Sequence, residues 1–122
     1  MNRVLGDEVG RWVLSAHHHD AQSELSLFVA DTQKQLVIDR TFIDAQTGIR
    51  WIIDYKTSRP ADGASLTDFL SEEAARYRDQ LMRYRSAMQL YDQSHHPDVV
   101  DARVALYFSA LAELYELPIH EA

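Results

Sequence analysis

The stretch RWIIDYKTS, Arg50 to Ser58, decides how the rest of the chain is read. Trp51, Ile52, Ile53 and Tyr55 are the β-branched and aromatic residues of a buried strand. Asp54 and Lys56 interrupt that run, and a buried charge is costly unless it is paired or bound to an ion. A carboxylate and an amine two residues apart therefore need a partner that a simple core strand does not supply.

The flanking sequence provides one. QLVIDRTFID (35–44) reads as the preceding strand, and DAQTG (44–48), ending in Gly48, as a turn. If the loop spans Ala45 to Gly48, Asp44 stands opposite Ile49 and Asp39 opposite Asp54. Their side chains then share a face, with Cβ atoms roughly 5 Å apart, and Lys56 points the same way. Two opposed carboxylates repel in an apolar sheet, and a divalent cation between them removes the conflict. Mg²⁺ and Mn²⁺ favour such oxygen ligands and retain waters, one of which can become a nucleophile. Lys56 would orient that water or stabilise charge on a phosphate. Blander arrangements use the same residues: Asp39 paired with Arg40 or Lys56, or Asp54 at a solvated strand end. A one-residue slip would also put the two aspartates on opposite faces.

Further out, ELSLFVA (24–30) alternates as a first strand, and residues 2–16 enter through a short helix or irregular segment that docks Trp12, Val13 and Leu14. After the loop RPADGAS comes a long helix. Leu70, Ala74, Tyr77, Leu81, Tyr84, Met88 and Tyr91 form its buried stripe, and either Ser71 or a Ser65–Asp68 capping box begins it. DARVALYFSAL (101–111) is a fourth strand and ELYEL (113–117) a fifth. The expected fold is α/β, with a mixed sheet in the order β-β-β-α-β(-β).

Composition sets the outer limits. The 122 residues suit one domain, 46% hydrophobic and 25% charged, with no cysteine for a disulfide or thiolate metal site. No apolar run approaches a membrane span and MNRVLGDEVGRW lacks a signal-peptide core, so a cytoplasmic setting is expected. A net charge of −7 opposes nonspecific attraction to nucleic acid but leaves room for a local, metal-offset acidic site. No Gly-rich phosphate loop is present, so an ATPase would lie elsewhere.

VIDR, IIDYKTS and the helical YRDQLMRY together resemble the RecB-type nuclease domain of the PD-(D/E)XK superfamily. More narrowly, the pattern is similar to the C-terminal nuclease domain of bacterial AddA-like and UvrD-related helicase-exonucleases, from about Gly10 to Leu117. The resemblance implies a restriction-endonuclease-like sheet flanked by helices, and Mg²⁺- or Mn²⁺-dependent DNA cleavage in double-strand-break repair. It assigns Asp39, Asp54 and the Tyr55 backbone carbonyl to the metal, Lys56 to catalysis, and Gln80 with Tyr84 to DNA positioning or support of the site. It implies as partners DNA, a helicase segment of the same polypeptide and a second helicase-nuclease subunit. The family's upstream histidine has no match here. The resemblance therefore places one ligand on a helix before Met1, and implies a weakly active isolated domain with an exposed apolar patch. A noncatalytic DNA-binding or scaffolding module on the same fold is the competing expectation.

Other features carry less. Glu24 would either join the metal site or end a strand in solvent. HHHD (17–20) reads as a solvated turn rather than a zinc site, because consecutive side chains do not converge on one ion. His95 and His96 read as a helix-end loop. Arg76, Arg78, Arg83 and Arg85 suggest either a DNA-backbone track or, with Glu72, Glu73 and Asp79, a salt-bridged solvent face.

Overall fold

Asp44 closes the central hairpin. Its N–H donates to the Ile49 carbonyl (2.9 Å), its own carbonyl accepts from Gly48 N–H (2.9 Å), and its carboxylate accepts from Thr47 Oγ1 (2.7 Å). Gly48 sits at φ +73°, a conformation that glycine adopts without a Cβ penalty. This turn joins β2 (Lys34–Ile43) to β3 (Arg50–Lys56) in the register Arg40 to Ile53, Thr41 to Ile52, Phe42 to Trp51 and Ile43 to Arg50. This is the register that the turn length predicts, and the pairing stops one step short of Asp39 and Asp54.

The computed structural model describes residues 8–29 and 33–119, which leaves Ala30 and residues 2–7 of the expected N-terminal elements outside. The chain runs α1 (Glu8–Leu14), β1 (His19–Val29), β2, β3, α2 (Leu66–His95), β4 (Ala102–Phe108) and β5 (Glu113–Glu116). The five strands form one mixed sheet in sequence order. β3 and β4 are parallel, bridged by α2, and the other neighbours are antiparallel. No helix among the described residues is long and apolar enough to cross a membrane.

Ser65 is the cap that starts α2: its Oγ accepts from the Asp68 N–H at 3.2 Å, which rules out the Ser71 start. The expected stripe is the packed face. Ala74, Leu81, Tyr84 and Met88 are buried against Ile52, Val104, Leu106 and Phe108. Leu81 is fully enclosed, and truncation to alanine would cost about 2–5 kcal/mol. The helix ends at His95, and Pro97 cannot continue it.

α1 covers part of the opposite face, where Val13 packs with Phe42, Trp51, Ile53, Ala105 and Tyr107. Leu14, expected to dock, is half exposed. β1 starts at His19, earlier than its apolar alternation announces. Asp20 and Glu24 take positive φ there, and the pairing to β2 is irregular between His19 and Gln22. The HHHD segment is correspondingly not a free turn: His18 stacks on Phe42 (4.2 Å) and contacts the Trp12 carbonyl (2.8 Å). β4 stops at Phe108, because Ser109 to Ala112 turn, with Ala112 at φ +52°.

Candidate metal centre

The sheet changes face at Asp39. Ile38 packs on the α2 side, yet Phe42, four residues on, packs on the α1 side with Arg40, whose guanidinium donates to the carbonyls of Val13 (2.9 Å) and Ser15 (3.0 Å). β1 switches at the same level. Leu25 and Leu27 join the α2-side core while Ala21 joins the other, and Glu24 between them has φ +52°. Strict alternation would keep residues an even number apart on one face. The switch thus marks a coupled irregularity at Glu24 and Asp39, beyond which β2 no longer pairs with β3.

That divergence opens the site. The Tyr55 N–H, deprived of a strand partner, donates to Asp39 Oδ2 at 2.9 Å. Lys56 turns its carbonyl to the β4 side, where it accepts from Ser109 N–H at 3.2 Å. Successive carbonyls alternate along a strand, so the Tyr55 carbonyl faces β2 and the Asp39 gap. The Tyr55 carbonyl is thus turned to the side on which Asp39 lies.

Asp54 is buried (6% exposed) on the α2 side, and its carboxyl is pushed above the usual range, first by burial and then by Asp39 beside it. Lys56 Nζ lies 2.8 Å from Asp54 Oδ2, yet off the direction that a hydrogen bond requires, so that buried oxygen has a cationic neighbour but no aligned donor. Burial works to lower the Lys56 ammonium, but Asp54 and then Tyr77 outweigh it and hold it above its ordinary value. Both values rise, which disfavours the charged form of Asp54 but favours that of Lys56, because the cost of burial and of Asp39 falls mainly on Asp54. Lys56 is thereby a fixed cation rather than a base.

Two adjacent carboxylates and one carbonyl suit a hard divalent cation that keeps several waters. Among the described residues no three His, Cys, Asp or Glu side chains gather at one point, and Glu24 is exposed on β1. The fit is therefore to a two-carboxylate site.

Gln80 Nε2 donates to Tyr84 Oη at 2.8 Å, one turn apart on the sheet-facing side of α2. Tyr84 is core, and Gln80 spends this donor on it rather than on the aspartates. One contact escaped the sequence: Glu73 is buried and accepts from Ser58 Oγ at 2.9 Å, tying the segment after β3 to α2. Its only sequence signal is an acidic residue next to Ala74 of the buried stripe. The expected solvent face is corrected accordingly. Glu73 belongs to the interior, Arg78 donates to the Pro118 carbonyl (2.6 Å) and Arg85 to that of Ala102 (2.7 Å). The arginine track thus has two of its four members engaged with backbone.

No protein-family model matches the sequence, and no curated protein matches it closely enough to count as a relative.

Proposed function

We propose that the chain is a restriction-endonuclease-like, divalent-metal-dependent deoxyribonuclease domain. The observation that carries this reading is the Asp39–Asp54 pair: two carboxylates forced together, beside Lys56, with Asp54 Oδ2 lacking an aligned donor. Asp39, Asp54 and the Tyr55 carbonyl would hold Mg²⁺ or Mn²⁺, which when bound supplies Lewis acidity and lowers the pKa of water. The chain's own residues then have distinct tasks. The Tyr55 N–H would hold Asp39, β3 would carry Asp54 beside it, and the Lys56 ammonium would stabilise negative charge developing on a phosphodiester. Gln80 and Tyr84, bonded to each other on the packed face of α2, would brace the site from the helix side. The biological setting we infer is exonucleolytic processing of broken DNA beside a helicase, on the same polypeptide or on a second subunit.

The close Lys56–Asp54 pair also favours a second reading, a nuclease-fold module that binds DNA or scaffolds without cutting, in which lysine neutralises the aspartate permanently. Metal titration followed by thermal unfolding separates them. A ligand bound only by the native state at 100 times its Kd stabilises by about 2.7 kcal/mol. The nuclease reading expects such a rise with Mg²⁺ or Mn²⁺ and its loss in Asp39→Ala. Indifference of the wild type to both metals supports the scaffold.

A further inference from the structure

Lys56 is a flexible four-carbon chain, and its charge is useful only if its position is fixed. Asp54 supplies one anchor, at 2.8 Å. On α2, Tyr77 supplies another: the Lys56 Nζ sits over the Tyr77 ring, 3.5 Å from its centroid. Tyr77 is a half-buried member of the helix stripe, packed against the core, so its ring has little freedom to follow the ammonium. An aromatic face attracts a cation through its quadrupole without occupying it as a carboxylate does.

We propose that Tyr77 is a positioning residue that holds the Lys56 ammonium at the carboxylate pair by its ring face. The consequence for cleavage rests on the nuclease reading above; the holding contact itself does not. Asp54 is asked both to ligate a cation and to pair with Lys56, and these compete for one carboxylate. A ring face leaves the carboxylate free while keeping the ammonium in place, with N–H donors available to a phosphodiester. Helix α2 thus contributes to the site through Tyr77, about one turn before Gln80 and two before Tyr84.

The test uses the proton chemical shifts of the Lys56 ε-methylene together with cleavage kinetics, on wild type, Tyr77→Phe, Tyr77→Leu and a series of fluorinated phenylalanines at position 77. Fluorination drains the ring face while keeping its shape, so it separates the electrostatic role from packing even if Tyr77→Leu folds poorly. The expected result is a ring-current upfield shift of Lys56 in wild type and Tyr77→Phe. That shift is absent from Tyr77→Leu and declines as fluorine is added. Cleavage should follow, with kcat falling about ten-fold or more and KM for DNA little changed, and Phe preserving the wild-type rate. No ring-current shift in wild type overturns the proposal whatever the activity. Cleavage that persists unchanged across the fluorinated series overturns it while leaving the nuclease reading intact. A wild type that shows the shift but does not cut DNA keeps the contact and removes the nuclease reading.

Discussion

Asp39 accepts the Tyr55 backbone N–H at 2.9 Å, so a side chain on β2 replaces the ladder bond that β2 would have made had it continued beside β3. The strand separation and the seating of the first aspartate are one event. It leaves Asp54, across the gap, as the buried carboxylate that bears the electrostatic cost.

Asp54→Asn should therefore stabilise the metal-free protein. Even with Lys56 adjacent, the folded environment raises the Asp54 pKa, so ionised Asp54 is disfavoured in the native state. In the window above the ordinary carboxylate pKa, the folded state holds a proton that the unfolded state has released. Stability then falls as pH rises. The gain from Asp54→Asn should be near zero in acid, where the carboxyl is protonated in both states. It should grow through that window to a plateau on the order of 1 kcal/mol. Urea unfolding of both proteins across pH, in EDTA, measures it; a gain that shrinks as pH rises contradicts the assignment.

At the other end of β3, Arg50 is fully enclosed and bonds Asp92 through two nitrogens, Nε at 3.0 Å and Nη2 at 2.6 Å, with Asp20 taking Nη2 as well at 2.8 Å. Asp92→Ala would leave a buried guanidinium with less than its full pairing. The expected loss is about 3–5 kcal/mol by chemical denaturation, since removing one partner of a buried pair costs far more than the pair contributes.

Ser58→Ala removes the donor to Glu73, whose remaining ionic neighbour is the exposed Arg76 at 3.4 Å. The predicted cost is about 1.5–3 kcal/mol, the scale of a hydrogen bond to a charged group. Amide exchange should quicken in residues 57–65, which this bond ties to α2, and much less in β4.

The hairpin register was legible because a two-ended constraint fixed it: Asp44 and Gly48 define the turn, and every later pair follows by counting. The α2 stripe and its Ser65 cap were legible for the same reason, being local and periodic. The face switch at Glu24 and Asp39 was not, because Leu25 and Ser23 look like ordinary alternation until Arg40 draws Ser23 to the far side through a 3.1 Å hydrogen bond. The Arg50–Asp92 pair spans 42 residues and leaves no periodic trace, and Glu73 looks like a surface acid until Ser58 reaches it. Long-range polar pairs depend on tertiary geometry, which hydrophobic periodicity does not encode.

The most direct test is cleavage of end-labelled linear single- and double-stranded DNA by the purified chain at high protein concentration. Wild type and Asp54→Asn would be compared in Mg²⁺, Mn²⁺ and EDTA. The predicted result is slow, metal-dependent shortening by the wild type, absent in EDTA and reduced by about a hundred-fold or more in Asp54→Asn. Cleavage that persists in EDTA, equal cleavage by Asp54→Asn, or no cleavage by the wild type in either metal would contradict the account.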